Sequence, residues 1–327
     1  MRRRVFAAVA LIAGIPAAAA QTPPLPTWPE RPITIIVPFA AGGPTDVLAR
    51  LFGEHIRGEL GQPVLIEDVS GAGGSIGVGR AAAAAPDGYT ISAGNFGTHM
   101  ANGAIYRLRY DLQRDLDPVA RLPSNPMVVV TRRDFPAADL SELVAWLRAH
   151  PGQTTAGTAG AGSGSHIGAV FLSDLAGAPL QLVPYRGTAP AIQDLLAGHI
   201  DLMVDQAANS LTQVRRGAIR ALAVTAARRL AAAPDIPTSI EAGLPALQME
   251  LWNGMWVPHG TPDAIVEKLN GAIVKALDDP SVRDRLGALG LEGPPAGERS
   301  PAALRTLQDR EIAKWWPIIR AAHVTAE

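Results

Sequence analysis

A β-branched run at 33–37 breaks on Pro38-Phe39-Ala40-Ala41-Gly42-Gly43-Pro44-Thr45-Asp46 and passes into Val47, Leu48, Leu51, Phe52, Ile56 and Leu60. The first stretch reads as a buried strand and the last as one face of a helix. Between them, two residues without Cβ let a ligand approach the backbone. The following helix turn offers unpaired N–H groups and the positive end of its dipole, an anion site in outline. This unit constrains the fold because it recurs. A strand at 64–67, the loop Gly71-Ala72-Gly73-Gly74-Ser75 and a helix at 76–85 follow, and Pro86-Asp87-Gly88 turns the chain into a strand at 89–93. Strands alternating with helices at this spacing predict a parallel α/β sheet, whose ligands sit at the carboxyl ends of the strands.

The pattern returns later. Strand-like runs lie at 118–122 and 127–131, and a helix at 140–150 stops at Pro151-Gly152. The chain's longest small-residue loop, 154–166, then leads into a helix. Strands at 180–184, 200–204 and 220–225 follow, with the loop Tyr185-Arg186-Gly187-Thr188-Ala189-Pro190 between the first two. A Pro-rich connection near 233–237, a strand at 252–257, a long helix from Thr261-Pro262 and a final helix at 301–324 complete the chain. Two clusters of glycine loops, early and middle, suit two lobes that share one ligand across a cleft.

Composition excludes several classes. Arg2, Arg3 and Arg4, an apolar stretch at 5–15 and Ala18-Ala19-Ala20 form an export signal at 1–20, with cleavage expected near Ala20 and Gln21. Its apolar part is too short to span a bilayer. The net charge is −1, and −4 once the three arginines leave with the leader, so no nucleic-acid partner is expected. With no cysteine there is no thiolate metal site and no disulfide. Aromatic residues make up only 5%, which argues against stacking on sugars.

The seven histidines are scattered without HExxH spacing, and no lysine follows a glycine loop, so neither a metal site nor a P-loop is expected. Gly77-Val78-Gly79-Arg80-Ala81-Ala82 fits GxGxxA but falls inside a helix. Gly73-Gly74-Ser75-Ile76-Gly77 fits the G-x-S-x-G of a serine hydrolase, with Asp205 and His259 in chain order to complete a triad. The alternative reading of Ser75 is a cap for the helix at Ile76. The loops at 39–46, 71–75, 158–165 and 187–190 remain, with hydroxyls at Thr158, Ser163, Ser165 and Thr188. Neutral donors of this kind suit a small carboxylate held at both ends. Asp46 either caps its helix or meets a water or ammonium at the ligand, and Arg50, one turn on, pairs with it. His166 is expected to order its loop. Trp252 and Trp256 are expected in the core rather than the cleft, and Trp315-Trp316 in the packing of the last helix.

In its ordered blocks the chain resembles the Bug-type receptors, extracytoplasmic solute-binding proteins of tripartite tricarboxylate transporters. The blocks include Val37-Pro38-Phe39-Ala40 with Gly42-Gly43 and Asp46, Gly71-Ala72-Gly73-Gly74, and Pro86-Asp87-Gly88-Tyr89. They continue with Gly157 through His166, Pro184-Tyr185-Arg186-Gly187, Asp194-Leu195-Leu196-Ala197-Gly198 and Lys314-Trp315. The resemblance implies a two-lobed, type II-like Venus-flytrap fold, each lobe a mainly parallel sheet flanked by helices. Laid on the element order, it gives lobe one at 21–122, lobe two at 123–225 and a return to lobe one at 226–327. It implies a periplasmic, non-enzymatic receptor without cofactor or metal, expected as a monomer. Its partners would be a small carboxylate and a membrane transporter or, alternatively, a membrane sensor. Carried over, the lobe-one contacts are Phe39, Ala40, Gly42, Gly43 and Asp46, often through water. The lobe-two contacts are Thr158, Gly162, Ser163, Thr188 and Asp205. Ala41 stands where the family usually has proline, and Thr155 where an aromatic often stands.

Overall fold

The computed structural model describes residues 28–291, 293–321 and 324–325; the expected leader lies outside them. The first unit is β1 (Ile33–Val37), α1 (Pro44–Leu60), β2 (Val64–Asp68), α2 (Ser75–Ala82) and β3 (Thr90–Asn95). A five-residue π-helical turn, Gly97–Ala101, runs into the short α3 (Asn102–Ile105). After β4 (Leu116–Arg132) and α4 (Leu140–Ala149) comes the second unit: β5 (Thr155–Thr158), α5 (Gly164–Ala176), β6 (Gln181–Pro184), α6 (Thr188–Ala197), β7 (Leu202–Gln206), α7 (Ala207–Arg215) and β8 (Ile219–Val224). The chain closes with β9 (Glu250–Pro258), α8 (Asp263–Asp278), α9 (Pro280–Ala288) and α10 (Pro301–Ala321). Among the described residues no helix is long and apolar enough to cross a membrane.

The strands form one sheet, ordered β2-β1-β3-β9-β4-β7-β5-β6, with β8 also on β4. It is parallel where helical crossovers connect consecutive strands, in β2-β1-β3 and in β7-β5-β6. It is antiparallel around β4, on β9, β7 and β8. The two runs expected at 118–122 and 127–131 are the ends of this one 17-residue strand. Pro118 and Pro123 are tolerated because the register slips at Pro118/Ala120 and Leu122/Asn125, where ladder bonds are interrupted, and Pro126 stands at the last pair of the ladder with β9. The Nδ2 of Asn253 donates to the Pro123 carbonyl at 2.6 Å, replacing a lost ladder partner.

The residues between β8 and β9 stay with the second group of strands. Thr238 bridges to Val224, Leu230 and Ile236 join the core under α6 and α7, and the N–H of Met249 donates to the Thr225 carbonyl. Strand pairing with the first group resumes at β9. One core packs α1 and α8 on β1 and β3. Another joins α10 to α5 and β4, with Trp315 against both Phe96 and Phe171 at centroid distances of 5.4 and 5.1 Å. Trp252 and Trp256 are core residues, 2% and 0% exposed.

Candidate functional site

The loop after β1 turns at Gly42 (φ +82°), and Pro44 takes the first helical position, where its missing N–H costs nothing. Asp46 is 2% exposed. Its Oδ2 accepts from the Gly42 N–H at 2.7 Å, and its Oδ1 lies 2.8 Å from Arg50 Nε. Arg50 also reaches Asp68 at 3.1 Å. Asp46 therefore folds the loop back on the helix, and the expected pair with Arg50 is present. Phe39 is half-buried against the core, whereas Ala40, Ala41 and Gly42 are exposed.

The loop before α2 is a packed joint. Positive φ runs from Gly71 through Gly74, including Ala72 at +46°. A side chain at Gly74 would meet Thr98 at 2.6 Å and the Pro38 carbonyl at 3.1 Å. Ser75 is the first residue of α2 and Gly74 its cap position, so the expected capping by Ser75 is absent. The triad partners are not brought together. The carboxylate of Asp205 accepts from Ser210, and His259 pairs with Asp117 at 3.1 Å.

In the second half, Ser163 caps α5 by accepting from the His166 N–H at 3.2 Å. Ser165 Oγ accepts from Ala159 N–H at 2.8 Å, and His166 Nδ1 accepts from Gly162 N–H at 3.0 Å. His166 thus orders its loop, and burial lowers its pKa. Thr158 is buried at the end of β5. Thr188, at the start of α6, accepts from Asn209 Nδ2 at 3.1 Å. Asp205, fully buried at the end of β7, accepts from Ser210 Oγ at 2.7 Å, and burial pushes its carboxyl up to about 6.

The two halves meet through the segment at and after the end of β3, whose start at 94–98 reads in the sequence as a carboxyl-end loop but is not among the expected contacts. Asn95 Oδ1 accepts from the N–H groups of Gly97 and Thr98, and its Nδ2 lies 3.4 Å from Thr45 Oγ1 on α1. Gly97 comes so close to the second half that a Cβ there would lie 3.2 Å from the Gly162 carbonyl. Tyr106 donates to the Ala161 carbonyl at 3.3 Å. Asn102 Nδ2 donates to the Gly73 carbonyl at 2.8 Å, and its Oδ1 would lie 3.2 Å from a Cβ on Gly162. Among the described residues, no hydrogen bond joins 39–46 directly to 158–166; Asn95 and Gly97 make the link. Arg186, exposed on the loop between β6 and α6, supplies a positive charge on that side. These loops all lie at carboxyl ends of strands and present backbone N–H groups at the starts of α1, α5 and α6. That arrangement binds anions without titrating.

Elsewhere, a groove of about 320 Å³ between α1 and α8 is lined by Glu54, His55, Glu59, Lys275 and Asp279, away from these loops. Among the described residues no group of three His, Cys, Asp or Glu could hold a metal ion.

Residues 48–324 match the model of the tripartite tricarboxylate transporter family receptor. The chain is 41% identical to MatC from Rhodopseudomonas palustris, a structure with bound malate, at a TM-score of 0.84 over 89% of this chain and all of that one. It is 36% identical to the periplasmic binding protein BugD, TM-score 0.83, over 91% of this chain and 99% of that one. It is 32% identical to R. palustris Rpa4515 with adipate, TM-score 0.84, with 91% and 99% covered. The fold is that of periplasmic binding proteins, a mixed α/β sheet with flanking helices. The chain belongs to the receptor family of the tripartite tricarboxylate transporters, as a Bug-type solute receptor.

Proposed function

We propose that the protein is a periplasmic receptor that closes on a small dicarboxylate and delivers it to a membrane transporter of the tripartite tricarboxylate type. The observation that carries this reading is the meeting of 95–106 with 160–162, which sets the glycine loops of both halves against one another. In this reading lobe one comprises 28–122 with 250–321, and lobe two comprises 123–249. One ligand carboxylate takes backbone N–H groups from Phe39 to Asp46, directly or through water. The other faces Thr158, Gly162 and Ser163, with Thr188 and Asp205 behind. Malate and adipate in the two relatives are small dicarboxylates, which supports this class.

A panel of C4 to C6 dicarboxylates, amino acids and aromatic acids tests it by thermal shift and calorimetry. A ligand at 100 times its Kd stabilises the folded state by roughly 2.7 kcal/mol. We expect a matching rise in Tm for at least one dicarboxylate. A panel in which only aromatic acids, or nothing, shifts the Tm would overturn the assignment.

A further inference from the structure

At the loop 39–46 two carboxylates share one guanidinium. The side chain of Asp46, on α1, is 3% exposed, and that of Asp68, at the end of β2, is 19% exposed. Arg50 Nη2 donates to Asp68 Oδ2 at 3.1 Å. Asp46 Oδ2 is taken by the Gly42 N–H, while its Oδ1 lies 2.8 Å from Arg50 Nε without forming a hydrogen bond. Asp68 Oδ1 is likewise buried and has no hydrogen-bond partner. The cluster thus sets two carboxylates against one cation, and each carboxylate keeps one oxygen without a donor. Buried polar atoms in folded proteins are almost always satisfied, so this pair calls for an explanation.

Among the described residues no other side chain supplies the donor. β1 places Val37 beside Asp68, and the neighbouring Glu67 is held by Arg80 of α2 at 2.6 and 2.9 Å. The loop from Gly71 to Gly74 carries no titratable side chain. We propose that Asp46 and Asp68 share one proton, and that an anion bound at the loop 39–46 draws that proton in. The oxygen that carries it donates and its neighbour accepts. Burial first, then the Asp46 charge and a hydrogen bond between the two carboxyls, hold the Asp68 pKa above its ordinary value, against Arg50, which lowers it. The inference rests on the receptor reading above. A ligand carboxylate on the N–H groups of 39–46 lies beside Asp46, whose own carboxylate already holds the Gly42 N–H of that loop. Its charge opposes an ionised pair and favours a protonated one, so a proton is taken up with the ligand. The uptake is largest between the pKa of the free pair and that of the ligand-bound pair, and vanishes above both and below both. Affinity therefore rises as the pH falls through this range.

The test is calorimetry of the full chain with L-malate and with adipate, in buffers of different ionisation enthalpy, from about pH 7.5 down to about pH 4.5, on the parent and on Asp68→Asn. Asparagine keeps an oxygen for Arg50 and offers an amide N–H where the proton would be, so the variant stays in the neutral state. It is expected to bind about three- to tenfold more tightly than the parent at about pH 7.5, to converge with it at about pH 4.5, and to lack the proton uptake the parent shows. The titrations of the ligand and of Asp205 are common to both proteins and cancel from the comparison. Weaker binding by Asp68→Asn at every pH would reduce the pair to a structural brace and overturn the inference, as would equal proton uptake in both proteins. Carbon-13 NMR of the ligand-free parent reads the pair directly. Asp68 is expected to titrate above the ordinary aspartate value of about 4, and a titration at that value would remove the shared proton. If neither acid binds the parent, the receptor reading fails first and the NMR titration decides the pair by itself, as it does where Asp68→Asn does not fold.

Discussion

Asp205 sits in an environment that opposes its own charge. The groups around it, Ser210, Asn209 and the Gln206 backbone, are neutral donors, and burial outweighs them in raising its pKa from 3.8 to about 6. Below about pH 4 folded and unfolded chains both hold the proton. As the pH rises to 6 and beyond, the unfolded chain ionises freely while the folded one resists, so stability is lost. The gap of about two pKa units amounts to roughly 3 kcal/mol. Asp205→Asn is expected to be more stable than the parent at pH 7.5, by up to about 3 kcal/mol, with the margin shrinking toward pH 4 in urea titrations. A margin that does not change with pH would refute it. His99, fully buried and pushed down to about 3, has the opposite slope, but it is present in both proteins and cancels from the difference.

The π-helical turn shows why some elements escaped a reading of sequence while others did not. The glycine loops announced themselves through residue type, and the Asp46–Arg50 pair through its i,i+4 spacing. A five-residue π turn has no repeat long enough to leave a periodic signal. Its cause is tertiary. The His99 ring stacks on Trp256 at 3.8 Å, with Ser92 Oγ and Thr98 Oγ1 at its two nitrogens, and it fills the space over Gly94, where a Cβ would lie 1.9 Å from Nδ1. Likewise β4 reads as two runs in the sequence, with Pro123 and Pro126 between them, and its bulges and the amide of Asn253 explain how it continues as one strand. Nothing in the local sequence placed 226–249 either, since its anchors are the backbone of Val224 and Thr225. Two predictions belong to this scale. Gly94→Ala is expected to cost roughly 3 kcal/mol or more, at the upper end of overpacking penalties, as a lowered urea midpoint. Gly97→Ala, where a Cβ would lie 3.2 Å from both Asn95 Oδ1 and the Gly162 carbonyl of the other half, is expected to lower the ligand-free Tm by only a few degrees yet weaken ligand binding about tenfold by calorimetry. A binding constant unchanged by that methyl would show that the seam is not part of closure.

For the molecule as a whole, in the proposed division the chain passes between the halves twice, in β4 and at the approach to β9. Thr225 knits them, with its hydroxyl shared between the carbonyls of Met127 and Met249. Thr225→Val keeps the shape and removes the donor, so a loss of about 1–3 kcal/mol is expected in urea denaturation, and a loss near zero would show that water replaces it. The single strand β4 has a mechanical consequence. It is laddered to β9 along one part of its length and to β7 and β8 along the rest, so it works as a torsion bar shared by two plates. If the proposed halves close on a ligand, they would swing by twisting the bar where its register already slips, without parting it from either. Amide exchange at Val128 to Thr131 should therefore be equally slow with and without ligand, while exchange at Gly160 to Gly162 should slow on binding. The hinge would be the most rigid part of the moving machine.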